Sequence, residues 1–222
     1  YFTEMINAGT LITGGQFEKF YIDPAPVPQK VVWQLTGKNC EHMVQAAKIL
    51  VELPGIGIDL NMGCSAPDIY RFGSGIAWMI KPIEETEEMV REVGKVFSDY
   101  DASHQILLRY SVELRLGDGD YTDEKFYGFC QMLVDNGVKL ITLHPRTKKE
   151  KLTRPTHYEY CEKLHIIPDL FIGDCDSLKK NLPDNIKKII LPHLKDDTDT
   201  MYAIKEALKT SCTSITLCCA LG

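Results

Sequence analysis

Residues 58–64 read Ile58-Asp59-Leu60-Asn61-Met62-Gly63-Cys64, and this short segment sets the architecture of the chain. Apolar residues at every second position alternate with Asp59 and Asn61, which is the period of a β-strand. We expect Gly63 to permit a sharp turn, because glycine tolerates backbone angles that other residues avoid. The turn would leave the thiol of Cys64 at the mouth of the strand, where a thiol suits proton transfer better than packing.

Similar apolar segments recur along the whole chain and alternate with amphipathic segments. We predict strands at residues 1–5, 31–35, 56–61, 106–115, 139–144, 169–173 and 214–218. We predict helices at residues 39–52, 84–97, 123–136 and 198–209. Gly137 is expected to cap the third of these helices. This alternation is typical of a parallel sheet built from βα units.

Repeated βα units favour an α/β fold, and specifically a (β/α)8 TIM barrel, the commonest closed architecture of this kind. Only seven strands are predicted, so we expect the first barrel strand to be missing from this chain, before Tyr1. We expect one catalytic-type domain over residues 1–222, with an insertion at about 178–195.

The composition limits the classes of function. The 222 residues include 25 Lys and Arg against 31 Asp and Glu, which gives a formal net charge of -6. Strong nonspecific binding to nucleic acid needs clustered basic residues, so we do not expect it, although a local basic patch is compatible with this charge. No apolar run approaches the roughly 18 residues of a membrane span, so we predict no membrane association.

The chain contains eight cysteines. They form no CxxC pair and no Cys/His cluster with the spacing of a zinc site. Several occupy positions where helical or strand periodicity calls for a small apolar residue. We therefore predict reduced thiols, a cytoplasmic protein and no metal.

Polar side chains gather at the carboxyl ends of several of the predicted strands. The carboxyl ends of parallel barrel strands meet at one face, where active sites are built, so we expect these side chains to converge. They are Glu4, Gln34, Asn61, Cys64, Glu113, Arg115, His144, Arg146, Asp174 and Asp176. This convergence predicts an enzyme.

Six motifs resemble one family in their order and spacing. They are Thr3-Glu4-Met5, Gln34-Leu35-Thr36-Gly37, Asp59-Leu60-Asn61-Met62-Gly63-Cys64, Leu114-Arg115-Leu116-Gly117, His144-Pro145-Arg146-Thr147 and Ala220-Leu221-Gly222. Together they resemble the flavin-dependent tRNA-dihydrouridine synthase family over essentially the whole chain. The Asn-x-Gly-Cys turn is the most specific of them, and the His-x-Arg-Thr string supports it.

The resemblance implies an FMN-containing barrel that reduces the C5=C6 bond of uridine in tRNA, with NADPH as the hydride donor. It implies that Cys64 is the acid that protonates C5, with Ser65 in place of the family's proline. A thiol with an ordinary pKa near 8.5 is mostly protonated at neutral pH, as an acid must be. By the same resemblance, Asn61 contacts the uracil edge and Arg146 faces the cofactor or the RNA.

The resemblance also implies a set of cofactor contacts. Gln34 contacts the flavin ring, and His144 lies beside the flavin and its phosphate. Glu113 stands where the family has a lysine near flavin N1 and O2, and a carboxylate there opposes the negative charge of reduced flavin. The two phosphate loops correspond to Asp174-Cys175-Asp176 and Leu217-Cys218-Cys219, which lack the family's glycine and arginine.

Three interpretations are open. The first is an active synthase, and the second is a divergent relative that has lost FMN binding and acts as a non-catalytic RNA-binding or scaffold protein. The third is a different barrel flavoenzyme, such as a dihydropyrimidine or dihydroorotate oxidoreductase, which the Cys64 turn argues against. We adopt the first, because the substrate-side residues are kept better than the cofactor-side residues. We do not expect the family's C-terminal helical RNA-binding domain after Gly222.

Overall fold

Seven parallel strands form one sheet in the computed structural model of the chain. The structure describes residues 1–24, 26–105, 107–119, 121–150, 155–157 and 159–160, together with the backbone of strands 171–173 and 215–218. The predicted helix at 198–209 and the predicted insertion at 178–195 lie outside these residues.

The strands lie at or beside the predicted positions. They are β1 (Ile6–Asn7), β2 (Val32–Thr36), β3 (Gly57–Met62), β4 (Arg109–Leu114), β5 (Leu140–Leu143), β6 (Phe171–Gly173) and β7 (Ile215–Cys218). The first prediction, residues 1–5, is wrong in its bounds, because Phe2 makes only an isolated bridge. The Oγ1 atom of Thr3 accepts the backbone N–H of Gln34 at 2.9 Å, and this side-chain contact interrupts the strand ladder before Ile6.

The order of the strands is partly that of a barrel. Strands β1 to β5 lie side by side in chain order, and every pair is parallel. Strand β7 then lies between β5 and β6, so the last two strands are exchanged relative to chain order. The predicted α/β class with a parallel sheet is confirmed. A further strand before Tyr1 stays a prediction.

Helices cover the sheet. They are α1 (Ala8–Ile12), α2 (Glu18–Tyr21), α3 (Cys40–Leu50), α4 (Pro67–Arg71), α5 (Ala77–Ile80), α6 (Ile83–His104) and α7 (Asp123–Asp135), with a 3-10 turn at Pro28–Lys30. The predicted helices at 39–52, 84–97 and 123–136 correspond to α3, α6 and α7. Helix α6 runs further than predicted, and it ends where Gln105 adopts a left-handed backbone. Gly137 follows α7 with a φ of 90°, as expected of a residue at a helix C-terminus.

The alternation along β3 separates a packing face from an interior face. Ile58, Leu60 and Met62 are buried in one apolar core with side chains of α3, α6 and α7. Because successive strand residues point to opposite faces, Asp59 and Asn61 point away from these helices. They lie on the other face of the sheet, which therefore carries the polar groups and which we call the interior face.

Candidate active site

A buried hydrogen-bond network crosses the interior of the sheet from β2 to β4. The Nε2 atom of Gln34 donates to Asp59 Oδ2 at 3.0 Å and to Glu113 Oε2 at 2.7 Å. The Nδ2 atom of Asn61 donates to Gln34 Oε1 and to Glu113 Oε2, both at 3.1 Å. Strand register explains the network, because Gln34 lies opposite Asp59. In the same way, Asn61 lies opposite Glu113.

The turn after β3 holds the backbone of Cys64 from both sides. The Oδ1 atom of Asn61 accepts the N–H of Cys64 at 2.9 Å. The carbonyl oxygen of Cys64 accepts the N–H of Ile76 at 3.0 Å. Gly75, with a φ of 59°, approaches so closely that a Cβ on it would lie 2.5 Å from this oxygen. The backbone of this half-buried cysteine is therefore held in place at the carboxyl end of β3.

The reason for glycine at position 63 differs from the prediction. Gly63 is not among the glycines with a positive φ, so the turn does not depend on a left-handed backbone there. A Cβ on Gly63 would lie 3.3 Å from the carbonyl carbon of Leu114 and 3.5 Å from Glu113 Cγ. The glycine therefore provides room for β3 to end against β4, beside the carboxylate of Glu113.

Asp59 and Ser111 extend the network below Gln34, and neither was among the predicted site residues. Asp59 is completely buried, and it accepts a hydrogen bond from Ser111 Oγ at 2.6 Å. Burial raises the pKa of Asp59 to about 7, although its hydrogen bonds from Ser111 and Gln34 oppose the shift.

The sequence signal that could have identified Asp59 and Ser111 is their position. Each stands two residues before a predicted site residue, Asn61 or Glu113, and so shares its face of the strand.

A basic cluster lies beside the thiol, at the ends of β4 and β5. The Nη1 atom of Arg146 lies 2.9 Å from His144 Nε2, and Arg146 itself is buried. Burial, followed by the charges of Arg115 and Arg146, lowers the pKa of His144 to about 4. The ring is therefore neutral at pH 7, and its Nε2 accepts from the guanidinium. Burial and the charge of Arg146 also lower the pKa of Arg115, whereas negative charge on Cys64 and on Glu113 raises it. Arg115 is therefore close to Cys64 and to Glu113.

The structure brings most of the predicted site residues together. They are Gln34, Asn61, Cys64, Glu113, His144 and Arg146. Glu4 does not join them, because it is exposed and precedes β1 instead of following it. Asp174, Cys175, Asp176 and Cys219 lie outside the described residues. Cys218 is described through its backbone alone, opposite Leu143 of β5.

Two hydroxyl groups on the interior face have no hydrogen-bond partner among the described residues. Thr36 Oγ1 lies on β2, two residues beyond Gln34, and Thr142 Oγ1 lies on β5, opposite Glu113. An unpaired buried hydroxyl costs roughly 1–3 kcal/mol. These two groups therefore favour a polar ligand in the interior, next to the amide network.

Two other properties concern the described part of the chain. It contains no group of three or more His, Cys, Asp or Glu side chains arranged to hold a metal ion. None of its helices combines the length and the apolar character that crossing a membrane requires.

Comparison with known proteins identifies relatives of one kind. Residues 1–179 match the dihydrouridine synthase (Dus) family. The tRNA-dihydrouridine(16) synthase of Neisseria meningitidis serogroup A is 28% identical over 150 residues, which cover 66% of this chain and 42% of the relative. A probable tRNA-dihydrouridine synthase of Aquifex aeolicus is 26% identical over 181 residues, which cover 79% of this chain and 54% of the relative. The tRNA-dihydrouridine(47) synthase (NAD(P)(+)) of Emericella nidulans is 31% identical over 145 residues, which cover 57% of this chain and 18% of the relative.

The chain thus spans about half of these relatives' length or less. The family match includes every site residue that the structure describes with its side chain. Together with the parallel sheet, the match confirms the TIM-barrel class expected from the sequence. The chain belongs to the dihydrouridine synthase family.

Proposed function

We propose that this chain is the catalytic part of a tRNA-dihydrouridine synthase, which reduces the C5=C6 bond of a uridine in tRNA. The proposal includes FMN as the bound redox group, NADPH as the source of the hydride and a cytoplasmic location, where thiols stay reduced. Similar proteins carry the name tRNA-dihydrouridine synthase, and one name includes NAD(P). The observation that carries the proposal is the half-buried Cys64 thiol at the end of β3, beside Asn61 and Arg115.

Cys64 is the proton donor in this proposal. Reduction of the pyrimidine adds a hydride at C6 and a proton at C5, and Cys64 becomes a thiolate when it gives up its proton. Arg115 lies close enough to interact with negative charge on this sulfur, and a neighbouring cation stabilises such charge. The thiol is partly exposed, so it can regain its proton from solvent after the product leaves.

Asn61 is the proposed contact to the uracil edge, and the network limits what its amide can offer. Both N–H groups donate inside the protein, to Gln34 and Glu113. The Oδ1 atom accepts the N–H of Cys64 with one of its two lone pairs. The second lone pair is left for the substrate, so Asn61 would accept the N3–H of uracil and would not donate to its carbonyl oxygens.

The interior residues fit a flavin ring in polarity. Gln34 would hold the ring, and the hydroxyls of Thr36 and Thr142 offer it buried donors that have no partner among the described residues. When bound, FMN would supply the hydride that reduces the pyrimidine. Glu113 is unfavourable for negative charge on the ring, but the adjacent Arg115 opposes this effect.

Other cofactor contacts in the proposal lie at the outer end of the site. His144 and Arg146 would face the flavin phosphate or the RNA, because their paired side chains supply N–H donors and positive charge. Asp174, Cys175, Asp176, Cys218 and Cys219 stay predicted phosphate-loop residues. The alternative of a flavin-free RNA-binding or scaffold protein is not favoured, because the similar proteins are named as synthases or probable synthases.

The first test combines a visible spectrum with an activity assay. We expect the purified 222-residue chain to bind FMN and to form dihydrouridine in unmodified tRNA when NADPH is supplied. Cys64→Ala should lower this activity by about 100-fold or more, the usual contribution of a positioned acid, and should leave the flavin spectrum unchanged. Cys40→Ala is the matched control, because Cys40 is a second partly exposed thiol, on α3 and outside the network.

Two outcomes would contradict the proposal. A preparation that stays colourless after addition of FMN would exclude a flavoenzyme and would support the non-catalytic alternative. Unchanged turnover of Cys64→Ala would remove the acid role from Cys64.

A further inference from the structure

We propose that Phe72 is a stacking platform for the base next to the target uridine, and that exposed cations from three neighbouring loops bind the RNA backbone around it. The inference rests on the proposed function, because it assumes a single-stranded RNA segment at the mouth of the barrel. We define the rim as Lys38, Tyr70, Arg71, Phe72, Lys148 and Lys149.

Phe72 is a large aromatic residue held in an exposed position. The residue is 72% exposed. It follows α4 in the loop that begins at Cys64, and its N–H donates to the carbonyl of Asp68 at 3.2 Å. Further along the same loop, Gly75 and Ile76 lie against the carbonyl oxygen of Cys64. Phe72 is therefore presented at the same mouth as the thiol.

Cations from the loops after β2, β3 and β5 surround this position. Arg71 precedes Phe72 and is exposed. Lys38 is also exposed. Its Cβ lies 3.8 Å from the position that a Cβ on Gly73 would occupy. Across the loop, Lys148 Nζ lies 3.3 Å from the centre of the Tyr70 ring, and Lys149 is 73% exposed. Two aromatic rings and four cations thus belong to the rim.

Acidic groups reduce the charge of the rim without cancelling it. Asp118 contacts both Lys148 Nζ, at 3.3 Å, and Lys149 Nζ, at 3.1 Å. Asp68 is exposed on α4. Because these carboxylates offset part of the positive charge, stacking on Phe72 should supply much of the affinity.

Single-stranded RNA fits this combination of groups. Sequence-tolerant binding of single strands uses aromatic side chains that stack on bases, together with cations that follow the backbone. A uridine whose ring enters the barrel leaves its neighbour without a stacking partner, because the target base must leave the stack. The exposed ring of Phe72 replaces that partner.

The test is binding of a fluorescently labelled RNA hairpin with a uridine-containing loop, measured by anisotropy with the full chain. We expect Phe72→Ala to weaken binding by about 5- to 100-fold, the usual effect of losing one stacking contact. Phe72→Trp should keep the affinity, and its new fluorescence should be quenched by RNA, because Trp33 and Trp78 are buried. Phe20→Ala is the matched control, since Phe20 is 78% exposed but lies on α2, outside the rim.

The outcomes separate this inference from the proposed function. If the unaltered chain binds the hairpin and Phe72→Ala binds it equally well, the stacking platform is wrong and the proposed function stands. An equal loss in Phe20→Ala would also overturn the platform, because the effect would then not belong to the rim. If the unaltered chain does not bind the hairpin or tRNA, both the proposed function and the inference fail.

Discussion

Asp59 is a carboxylic acid enclosed in the barrel interior, and its pKa links folding to pH. Its value of about 7 lies above the ordinary value of 3.8, mainly because burial penalises the charged form. At a pH between 3.8 and about 7, Asp59 keeps its proton in the folded protein and releases it in the unfolded chain. The stability contributed by this proton is therefore complete below about pH 4 and is lost as the pH rises to about 7.

Replacing this acid by its neutral analogue should remove the pH dependence. In Asp59→Asn, Oδ1 can still accept from Gln34, and the new amide N–H can donate to Ser111. Relative to this variant, we expect the unfolding free energy of the unaltered protein to fall by about 1.5 kcal/mol between pH 5.5 and pH 7, from a slope near 1.4 kcal/mol per pH unit. Urea denaturation at the two pH values measures the difference.

Ser111→Ala provides the matched control for this prediction. It keeps the acid but removes a hydrogen bond that lowers the pKa of Asp59, so the loss of stability should move to higher pH. Identical pH dependence in the unaltered protein and in Asp59→Asn would contradict the link between Asp59 and stability.

The residues at strand ends could be predicted from the sequence, and those deeper in the interior could not. Gln34, Asn61 and Cys64 stand out because they lie at or near the carboxyl ends of predicted strands, where active-site residues are expected. Asp59 and Ser111 lie inside strands, where an alternating polar residue is ordinarily assigned to a solvated face. Only the packing of the whole fold turns that face into a buried interior, and such packing is not visible in a single strand.

The loop between β3 and α5 holds the backbone of Cys64, and its closest approach to that residue is at Gly75. We expect Gly75→Ala to destabilise the protein by about 1–3 kcal/mol, because the new Cβ would meet the Cys64 carbonyl oxygen in a backbone region that already disfavours side chains. Urea denaturation measures the loss.

Gly14→Ala separates the two causes. Gly14 has a φ of 73°, but no atom lies within 4 Å of the point where a Cβ would be placed, so its replacement carries the backbone cost alone. The loss in Gly75→Ala should exceed the loss in Gly14→Ala. Equal losses would show that contact with Cys64 does not constrain the loop.

Among the elements, length decided what could be predicted. Helices α3, α6 and α7 span several turns, so their periodicity was visible in the sequence. The short helices α1 and α4 have five residues each, too few to establish a period. The first strand is predicted at residues 1–5 but lies at Ile6–Asn7. The side chain of Thr3 accepts the N–H of Gln34, a bond that a backbone carbonyl would accept in a regular strand ladder.

At the scale of the whole molecule, a net charge of -6 disfavours nonspecific RNA binding, so we expect the proposed RNA contacts to be confined to the rim. Each phosphate neutralised on a single strand contributes about -0.7 to the slope of log affinity against log salt concentration. Three exposed cations, Lys38, Arg71 and Lys149, therefore predict a slope of about -2 for the labelled hairpin. Anisotropy titrations at several salt concentrations measure it.

Variants assign this slope to particular residues. Lys149→Ala should make the slope shallower by about 0.7, whereas Phe72→Ala should lower the affinity and leave the slope unchanged. Lys95→Ala is the control, because Lys95 is 59% exposed on α6, away from the rim. A steep slope that responds equally to Lys95→Ala and Lys149→Ala would place the contacts elsewhere.

The barrel class could be predicted from the alternation of strands and helices, but the exchange of β6 and β7 could not. Each of these strands has an apolar sequence that fits either neighbour, and the choice of partner depends on pairing across long separations in the chain. The orientation of the amides in the interior was likewise invisible, because it depends on which oxygen each one faces.

The Asn61 side chain carries one last consequence. Turning its amide by half a rotation would aim the nitrogen at the N–H of Cys64 and the oxygen at the carboxylate of Glu113, creating two repulsions at once. The amide is therefore locked in one of its two orientations. Through that lock, the carboxylate of Glu113 on β4 helps to fix the peptide N–H of Cys64 in the turn after β3.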